Sequence, residues 1–161
     1  MKITLSTEEL ILIAVKIEEN GINFYKSLLN RKLNLKLRNL LDYLLKEEEK
    51  HKISFKELLL LTTQKSEDQL LYTNEESINY LYSLADSIIF NMNDKGANLL
   101  NLSFTDIQGI EGAMILEKES ILFYQELLNN IRSEATKQLI NEIINQEKEH
   151  LVKLVNLRSE L

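Results

Sequence analysis

Two halves of this chain carry the same pattern of glutamates and histidines. In each half a glutamate is followed 30 residues later by Glu-x-x-His, and the pattern recurs 99 residues further on (147 − 48 and 150 − 51). The members of the two copies are Glu18, Glu48, His51, Glu117, Glu147 and His150. They include both histidines of the 161-residue sequence. The fold must therefore relate two similar halves, which is most simply done when each half forms the same supersecondary unit.

The composition favours long helices. The sequence has no proline and only four glycines, and these two residue types disfavour a helix interior most strongly. Ser6 with Glu9 and Thr105 with Gln108 have the spacing of a capping box at a helix start, and Ser133 opens a further helical segment. Long amphipathic helices are predicted over residues 7–30, 33–63, 105–130 and 133–161.

The connections between the predicted helices determine their topology. Short connections should make antiparallel hairpins of residues 7–63 and 105–161. Residues 64–104 form a crossover in which a capping-box spacing at Thr73 and Glu76, an amphipathic stretch from Ile78 to Met92 and a stop at Gly96 predict an extra helix. We predict an all-α single domain over residues 1–161. It is a four-helix bundle of two hairpins, in which the crossover makes the second and third long helices parallel.

The repeated residues interrupt the apolar faces of these helices. In the second and fourth long helices, Glu-x-x-His lies in a stripe of apolar residues spaced three and four apart. Such positions face the core of a bundle. The small residues Ala14 and Gly21 share a face with Glu18, and Ala113 and Ser120 are placed equivalently in the second half. The small side chains should leave space in the core beside the glutamates.

Four glutamates and two histidines in one core form a ligand set for two metal ions. A buried ionised glutamate costs several kcal/mol unless it is paired or coordinated, and two divalent cations would balance four carboxylates. We therefore predict that all six repeated residues are metal ligands. Oxygen donors with imidazole suit Fe(II), and also Mn(II) or Zn(II). In the charged run EEEKHK, we interpret Glu47, Glu49 and Lys50 as solvated, whereas Glu48 and His51 belong to the apolar face.

A tyrosine follows the first glutamate of each copy by seven residues, at Tyr25 and Tyr124. This spacing places each tyrosine on the same helix face, two turns along. A buried tyrosine needs a partner for its hydroxyl group, and a ligand carboxylate is a suitable one. We predict that both tyrosines support the site, with simple packing in the core as the alternative.

Charge and composition exclude several classes of function. The net charge of −6 and the absence of a dense Lys/Arg stripe argue against nucleic-acid binding. The absence of cysteine excludes disulfides and cysteine-ligated iron centres. No apolar run is long enough to cross a bilayer, and the start of the chain does not have the pattern of a signal peptide. We expect a cytoplasmic protein that binds neither membranes nor nucleic acids.

These motifs together resemble those of the ferritin-like di-iron carboxylate superfamily. Glu-x-x-Gly-x-x-Phe-Tyr (Glu18 to Tyr25), Glu-x-x-Ser-x-x-Phe-Tyr (Glu117 to Tyr124) and two Glu-x-x-His motifs are similar to those of its rubrerythrin-like branch. The resemblance implies a ferritin-like bundle that holds two iron ions and reduces hydrogen peroxide. It also implies an external electron donor, such as a rubredoxin-like protein or a flavin reductase.

Two features differ from complete rubrerythrins, which carry a rubredoxin domain and a further carboxylate one turn before the third-helix ligand. This sequence has no cysteine for a rubredoxin centre, and Met114 occupies the position of the further carboxylate. We predict an oxidoreductase acting on peroxide or O₂. An iron-handling protein or ferroxidase is the main alternative, and a bundle with purely structural metals is another. The crossover helix favours a homodimer over a cage.

Overall fold

All regular secondary structure in the described residues is helical. The computed structural model describes residues 6–64, 76, 79–88 and 104–161. A helix that includes residues 79–88 is named α3. The long helices are α1 (Thr7–Leu29), α2 (Leu35–Gln64), α4 (Asp106–Asn129) and α5 (Glu134–Glu160). The prediction of an all-α fold with four long helices is confirmed.

Side-chain caps fix the starts of three long helices. The Ser6 hydroxyl accepts a hydrogen bond from the Glu9 backbone N–H, and the Glu9 carboxylate accepts one from the Ser6 backbone N–H. Thr105 and Gln108 repeat this capping box at α4. Ser133 caps α5 by accepting a hydrogen bond from a backbone N–H of its first turn. The predicted caps at these three helix starts are therefore present, and they satisfy amide groups that a helix start leaves without partners.

Helix α2 begins two residues later than predicted. The Asn34 side chain accepts a hydrogen bond of 2.8 Å from the Lys36 backbone N–H, which is the bond of a helix N-cap. The Asn34 backbone N–H in turn donates to the Asp106 carboxylate at 2.9 Å. The connection between α1 and α2 is thus attached to the start of α4, and the helix begins only after this attachment.

Contacts across the bundle establish the directions of the helices. Helices α1 and α2 pack together as one hairpin, and α4 and α5 as the other. Lys36 at the start of α2 pairs with Glu160 at the end of α5, at 2.9 Å. Tyr25 near the end of α1 bonds to Glu117, and Glu18 earlier in α1 bonds to Tyr124 later in α4, so α1 and α4 are antiparallel. Because α1 is antiparallel to both α2 and α4, α2 and α4 run parallel. This is the topology that a long crossover predicts.

The core runs the length of the bundle and includes residues of α3. Leu81, Ala85 and Ile88 of α3 are buried in the same apolar cluster as the long helices. None of the helices in the described ranges is long and apolar enough to cross a membrane. The predicted cap at Thr73, the apolar residues Ile78 and Met92, and the predicted stop at Gly96 lie outside the described residues. The single-domain boundaries stay a prediction.

Candidate metal centre

The six repeated residues meet in the centre of the bundle. Each lies on an inward face, and the apolar residues before and after it bring it into the core. Their side chains are almost completely removed from solvent, with no residue more than 4% exposed. The buried set is Glu18, Glu48, His51, Glu117, Glu147 and His150. A cluster of this composition in an apolar core requires charge compensation.

The cluster divides into two overlapping groups, each of which could hold a metal ion. In both groups, ligand atoms lie within 4.8 Å of one another. The first group is Glu18, Glu48, His51 and Glu147, and the second is Glu48, Glu117, Glu147 and His150. Two carboxylates are shared, so the geometry is that of a pair of adjacent metal positions with Glu48 and Glu147 between them.

Both histidines present Nδ1 to the carboxylates. His51 Nδ1 lies 3.1 Å from Glu147 Oε1 and 3.8 Å from Glu18 Oε2. His150 Nδ1 lies 3.0 Å from Glu147 Oε2 and 3.7 Å from Glu117 Oε2. The two imidazole rings stack with their centroids 5.7 Å apart. Glu147 therefore lies between the histidines, with one oxygen towards each.

The two tyrosines pair across the repeat. Tyr25 donates its hydroxyl hydrogen to Glu117 Oε1, and Tyr124 donates to Glu18 Oε1. Each tyrosine thus holds one oxygen of a glutamate from the other half of the chain. All four side chains are buried, and each bond satisfies a phenolic hydroxyl in the core.

Two residues at the site had not been predicted in these roles. Gln146 Oε1 lies 2.8 Å from Nε2 of His51. Gly21, predicted only to leave space, has a specific neighbour, since a Cβ atom there would lie 3.1 Å from Glu48 Oε2. The signal for Gln146 was its place directly before the second Glu-x-x-His. Its partner is on another helix, which spacing along one helix does not reveal.

Burial shifts three of the glutamates towards the protonated form. Loss of solvation, followed by repulsion from Glu147, raises the pKa of Glu18 to about 7. The same two causes raise the pKa of Glu117 to about 8 and hold the pKa of Glu48 well above its ordinary value. In the absence of metal Glu18 and Glu117 therefore take up protons close to neutral pH, and Glu48 also favours its protonated form.

The remaining groups form an ionic set around Glu147. Burial opposes charge on both histidines, but the Glu147 carboxylate, 3.1 Å from Nδ1, raises the pKa of His51 to about 9. For His150, Glu117 and then Glu147 overcome burial and raise the pKa to about 10. Although burial disfavours its charge, the hydrogen bond from His150 and the close His51 ring hold the pKa of Glu147 well below its ordinary value. Two imidazolium groups therefore flank one carboxylate when no metal is bound.

The donor atoms fit a metal pair. Among the described residues, several buried atoms of the cluster have no hydrogen-bond partner: Glu18 Oε2, Glu48 Oε1, Glu147 Oε1, His51 Nδ1 and His150 Nε2. His51 Nδ1 is close to Glu147 Oε1 at 3.1 Å, but the angles are not those of a hydrogen bond. Unpartnered polar atoms in a core are costly, and coordination would satisfy the carboxylate oxygens and the Nδ1 atom.

Residues 9–158 match the rubrerythrin family. The chain belongs to this family. The fold is also similar to the crystal structure of a Thermotoga maritima protein assigned to the ferritin-like diiron-carboxylate proteins, with a TM-score of 0.68 and 21% identity. That similarity covers 98% of this chain and 97% of the other, and at this identity it establishes the ferritin-like bundle. No curated protein matches the sequence.

Membership of the rubrerythrin family explains why a bundle core contains this polar cluster. Rubrerythrin-like proteins are di-iron carboxylate proteins, and the four glutamates and two histidines here form a candidate dinuclear metal site. The ferritin-like fold and the family predicted from the motifs are confirmed. That the six residues bind metal stays a prediction.

Proposed function

We propose that this protein is a di-iron oxidoreductase that reduces peroxide or O₂ at the buried cluster. The observation that carries the proposal is the pair of overlapping ligand groups with Glu48 and Glu147 in common. A structural metal would need only one such group. Two positions that share carboxylates instead suit a reaction in which two metal ions act together on one small molecule.

Iron suits this cluster because of its charge and its donor atoms. With neutral imidazoles, the four carboxylates provide a charge of −4, which two Fe(II) ions neutralise. The proposed ligands are Glu18, Glu48, His51, Glu117, Glu147 and His150. Mn(II) and Zn(II) would also accept these oxygen and nitrogen donors. When bound, two iron ions supply a pair of electrons for the reduction of peroxide or O₂.

The tyrosines hold two of the proposed ligands in place. Burial, followed by the charge of a neighbouring glutamate, raises the pKa of Tyr25 and Tyr124 well above 10, so both keep their hydroxyl hydrogens. Each hydroxyl group donates to one oxygen of its partner carboxylate, which leaves the other oxygen for a metal ion. The bonds also fix the rotation of both carboxyl groups.

The electrons for a complete cycle come from a partner protein. Reduction of one hydrogen peroxide to two water molecules consumes two electrons and two protons. The chain has no cysteine with which to bind a rubredoxin-type iron centre of its own. We assign the role of electron donor to a separate rubredoxin-like protein or flavin reductase. We place the reaction in the cytoplasm, with the chain acting as a homodimer.

The second candidate function is iron handling, in which Fe(II) is oxidised or stored without a reductive cycle. Met114 favours it. Met114 is buried, 8% exposed, and lies one turn before Glu117, where complete rubrerythrins have a further carboxylate. With a thioether at this position, the cluster has one charged oxygen ligand fewer for iron in its oxidised form.

Rapid mixing of the anaerobic Fe(II)-loaded protein separates these functions. The oxidoreductase predicts oxidation by stoichiometric peroxide faster than by O₂, followed by re-reduction and further turnovers when a reductant is supplied. Iron handling predicts slow reaction with peroxide, with O₂ oxidising many added Fe(II) ions per chain.

Two variants test the assignment of the site. The double substitution Glu48→Ala with Glu147→Ala removes both shared carboxylates and should abolish peroxide reduction and most metal binding. Glu49→Ala is the matched control, because Glu49 is exposed and pairs with Lys26 at the surface, at 3.7 Å. Unchanged metal content in the double variant would show that the assignment is wrong.

A further inference from the structure

The two histidines are held differently, although the repeat makes them equivalent. Nε2 of His51 pairs with Gln146 Oε1 at 2.8 Å. The position equivalent to Gln146 in the first half is Glu47 (146 − 99). Glu47 instead pairs with Lys50 of its own helix, at 2.5 Å. Nε2 of His150 is buried and has no hydrogen-bond partner among the residues that the structure describes.

Gln146 can select the form of His51 that binds metal. Because Nδ1 of His51 faces the glutamates, a metal ion would take Nδ1, and the ring hydrogen would then be on Nε2. Gln146 Oε1 accepts that hydrogen, so the bond fixes both the tautomer and the rotation of the ring. The ring of His150 instead meets the ring of Tyr43, with centroids 5.9 Å apart. A ring contact selects a tautomer less strongly than an amide oxygen does.

The ligand atoms of the two groups also differ in availability. The first group has one unpartnered buried atom on each member: Glu18 Oε2, Glu48 Oε1, His51 Nδ1 and Glu147 Oε1. In the second group, His150 Nδ1 is hydrogen-bonded to Glu147 Oε2 at 3.0 Å. Entry of a metal ion into the second group must break this hydrogen bond, whereas His51 Nδ1 in the first group has none to lose.

We propose that the two metal positions are unequal and that Gln146 is the positioning residue that makes them so. The position formed by Glu18, Glu48, His51 and Glu147 fills first and binds more tightly. The position around His150 fills second. Both positions offer three carboxylates and one imidazole, so the difference in metal affinity comes from the residues that contact the ligands. When metal is scarce the chain holds a single ion, and two-metal chemistry begins only when the weaker position fills.

The test is a Co(II) titration of the metal-free protein, followed by visible absorption and by competition with a chelator. The wild type should bind two ions in separate steps, with affinities that differ by at least about 10-fold. Gln146→Ala should weaken the first step by about 10- to 100-fold and bring it close to the second. Gln146→Glu keeps an acceptor oxygen and should restore the first step. Gln146 is at the surface, and alanine is a good helix former, so the variant should fold.

The matched control is Glu47→Ala, at the equivalent position of the other half. Because Glu47 contacts Lys50 rather than a histidine, both steps should stay within about 2-fold of the wild type. Nitrogen-15 NMR of the Zn(II)-loaded protein gives an independent signal. The Nε2 hydrogen of His51 should exchange slowly with solvent, and this protection should be lost in Gln146→Ala.

Two results would overturn the proposal. One is equal affinity for both Co(II) ions in the wild type, and the other is equal weakening by Glu47→Ala and Gln146→Ala. Because the proposal rests on the proposed metal centre, failure of the wild type to bind any Co(II) would instead refute the proposed function. The two failures are therefore distinguished in one titration.

Discussion

Metal binding to this cluster should release several protons, because the metal-free cluster is protonated. His51 and His150 have their pKa values raised to about 9 and about 10, so both are cationic at neutral pH. Burial holds the pKa of Glu48 well above its ordinary value and raises that of Glu117 to about 8. A metal ion requires bare imidazole nitrogens and ionised carboxylates. These protons must therefore leave when two ions bind.

The size of the effect follows from these pKa values. At pH 7 the two histidines and Glu117 each contribute close to one proton, while Glu18, with a pKa of about 7, contributes a part of one. Glu48, whose pKa burial raises, can only add to this number. Glu147 is already ionised, since its histidine partners lower its pKa. We expect release of at least about three protons for each pair of Zn(II) ions bound. The product of the two binding constants should then rise at least about 10³-fold per pH unit near pH 7.

Calorimetric titration with Zn(II) measures this release directly. The binding enthalpy is determined at pH 7 in several weakly coordinating buffers with different ionisation enthalpies, and the slope gives the number of protons. Zn(II) is chosen because it undergoes no redox reaction. The same protein at pH 9 is the control and should release fewer protons. Release of fewer than two protons at pH 7 would refute the reasoning, because the cluster would then be largely deprotonated without metal.

Three further outcomes follow from the same geometry. The stabilising protonation of His51 is complete below its unfolded-state pKa of 6.5 and is lost as pH rises through about 9. The midpoint of thermal unfolding of the metal-free protein should therefore fall as the pH rises from 6.5 to about 9. An unchanged or rising midpoint would contradict the charged pairing of His51 with Glu147. Gly21→Ala places a Cβ atom 3.1 Å from Glu48 Oε2 and should weaken Zn(II) binding, although alanine favours the helix by up to about 1 kcal/mol. Gly109→Ala, far from the cluster, should leave Zn(II) affinity unchanged, and equal weakening by both would show that the space beside Glu48 is unimportant. Tyr124→Phe leaves a buried carboxylate oxygen without its donor and should cost about 1–3 kcal/mol in chemical denaturation, whereas a loss below about 0.5 kcal/mol would show that the bond contributes little.

The fold could be predicted because local and periodic signals agree. Capping boxes at Ser6 and Thr105 mark the starts of helices, and the 99-residue repeat relates two hairpins. The start of α2 was two residues in error because the attachment of Asn34 to Asp106 is a contact between distant residues. A pattern within one segment cannot reveal such a contact.

The members of the cluster could be identified from the sequence, but their pairing could not. The spacing along α1 places Tyr25 on the same face as Glu18 of its own helix, but it does not show which glutamate the hydroxyl group contacts. Its partner is Glu117, and the choice depends on the antiparallel packing of α1 and α4. Similarly, Gln146 meets His51 only because α2 packs against α5. The homodimer, the cytoplasmic location, the electron donor and the preference for iron stay predictions.

Anomalous diffraction at the iron edge, from crystals loaded anaerobically with excess Fe(II), would locate the proposed metal ions in the cluster. The account predicts two iron peaks per chain, about 3.5–4 Å apart, one within reach of His51 and the other within reach of His150. Glu48 and Glu147 should contact both. The absence of iron from this cluster, or a single peak even with excess Fe(II), would contradict the account of a di-iron centre.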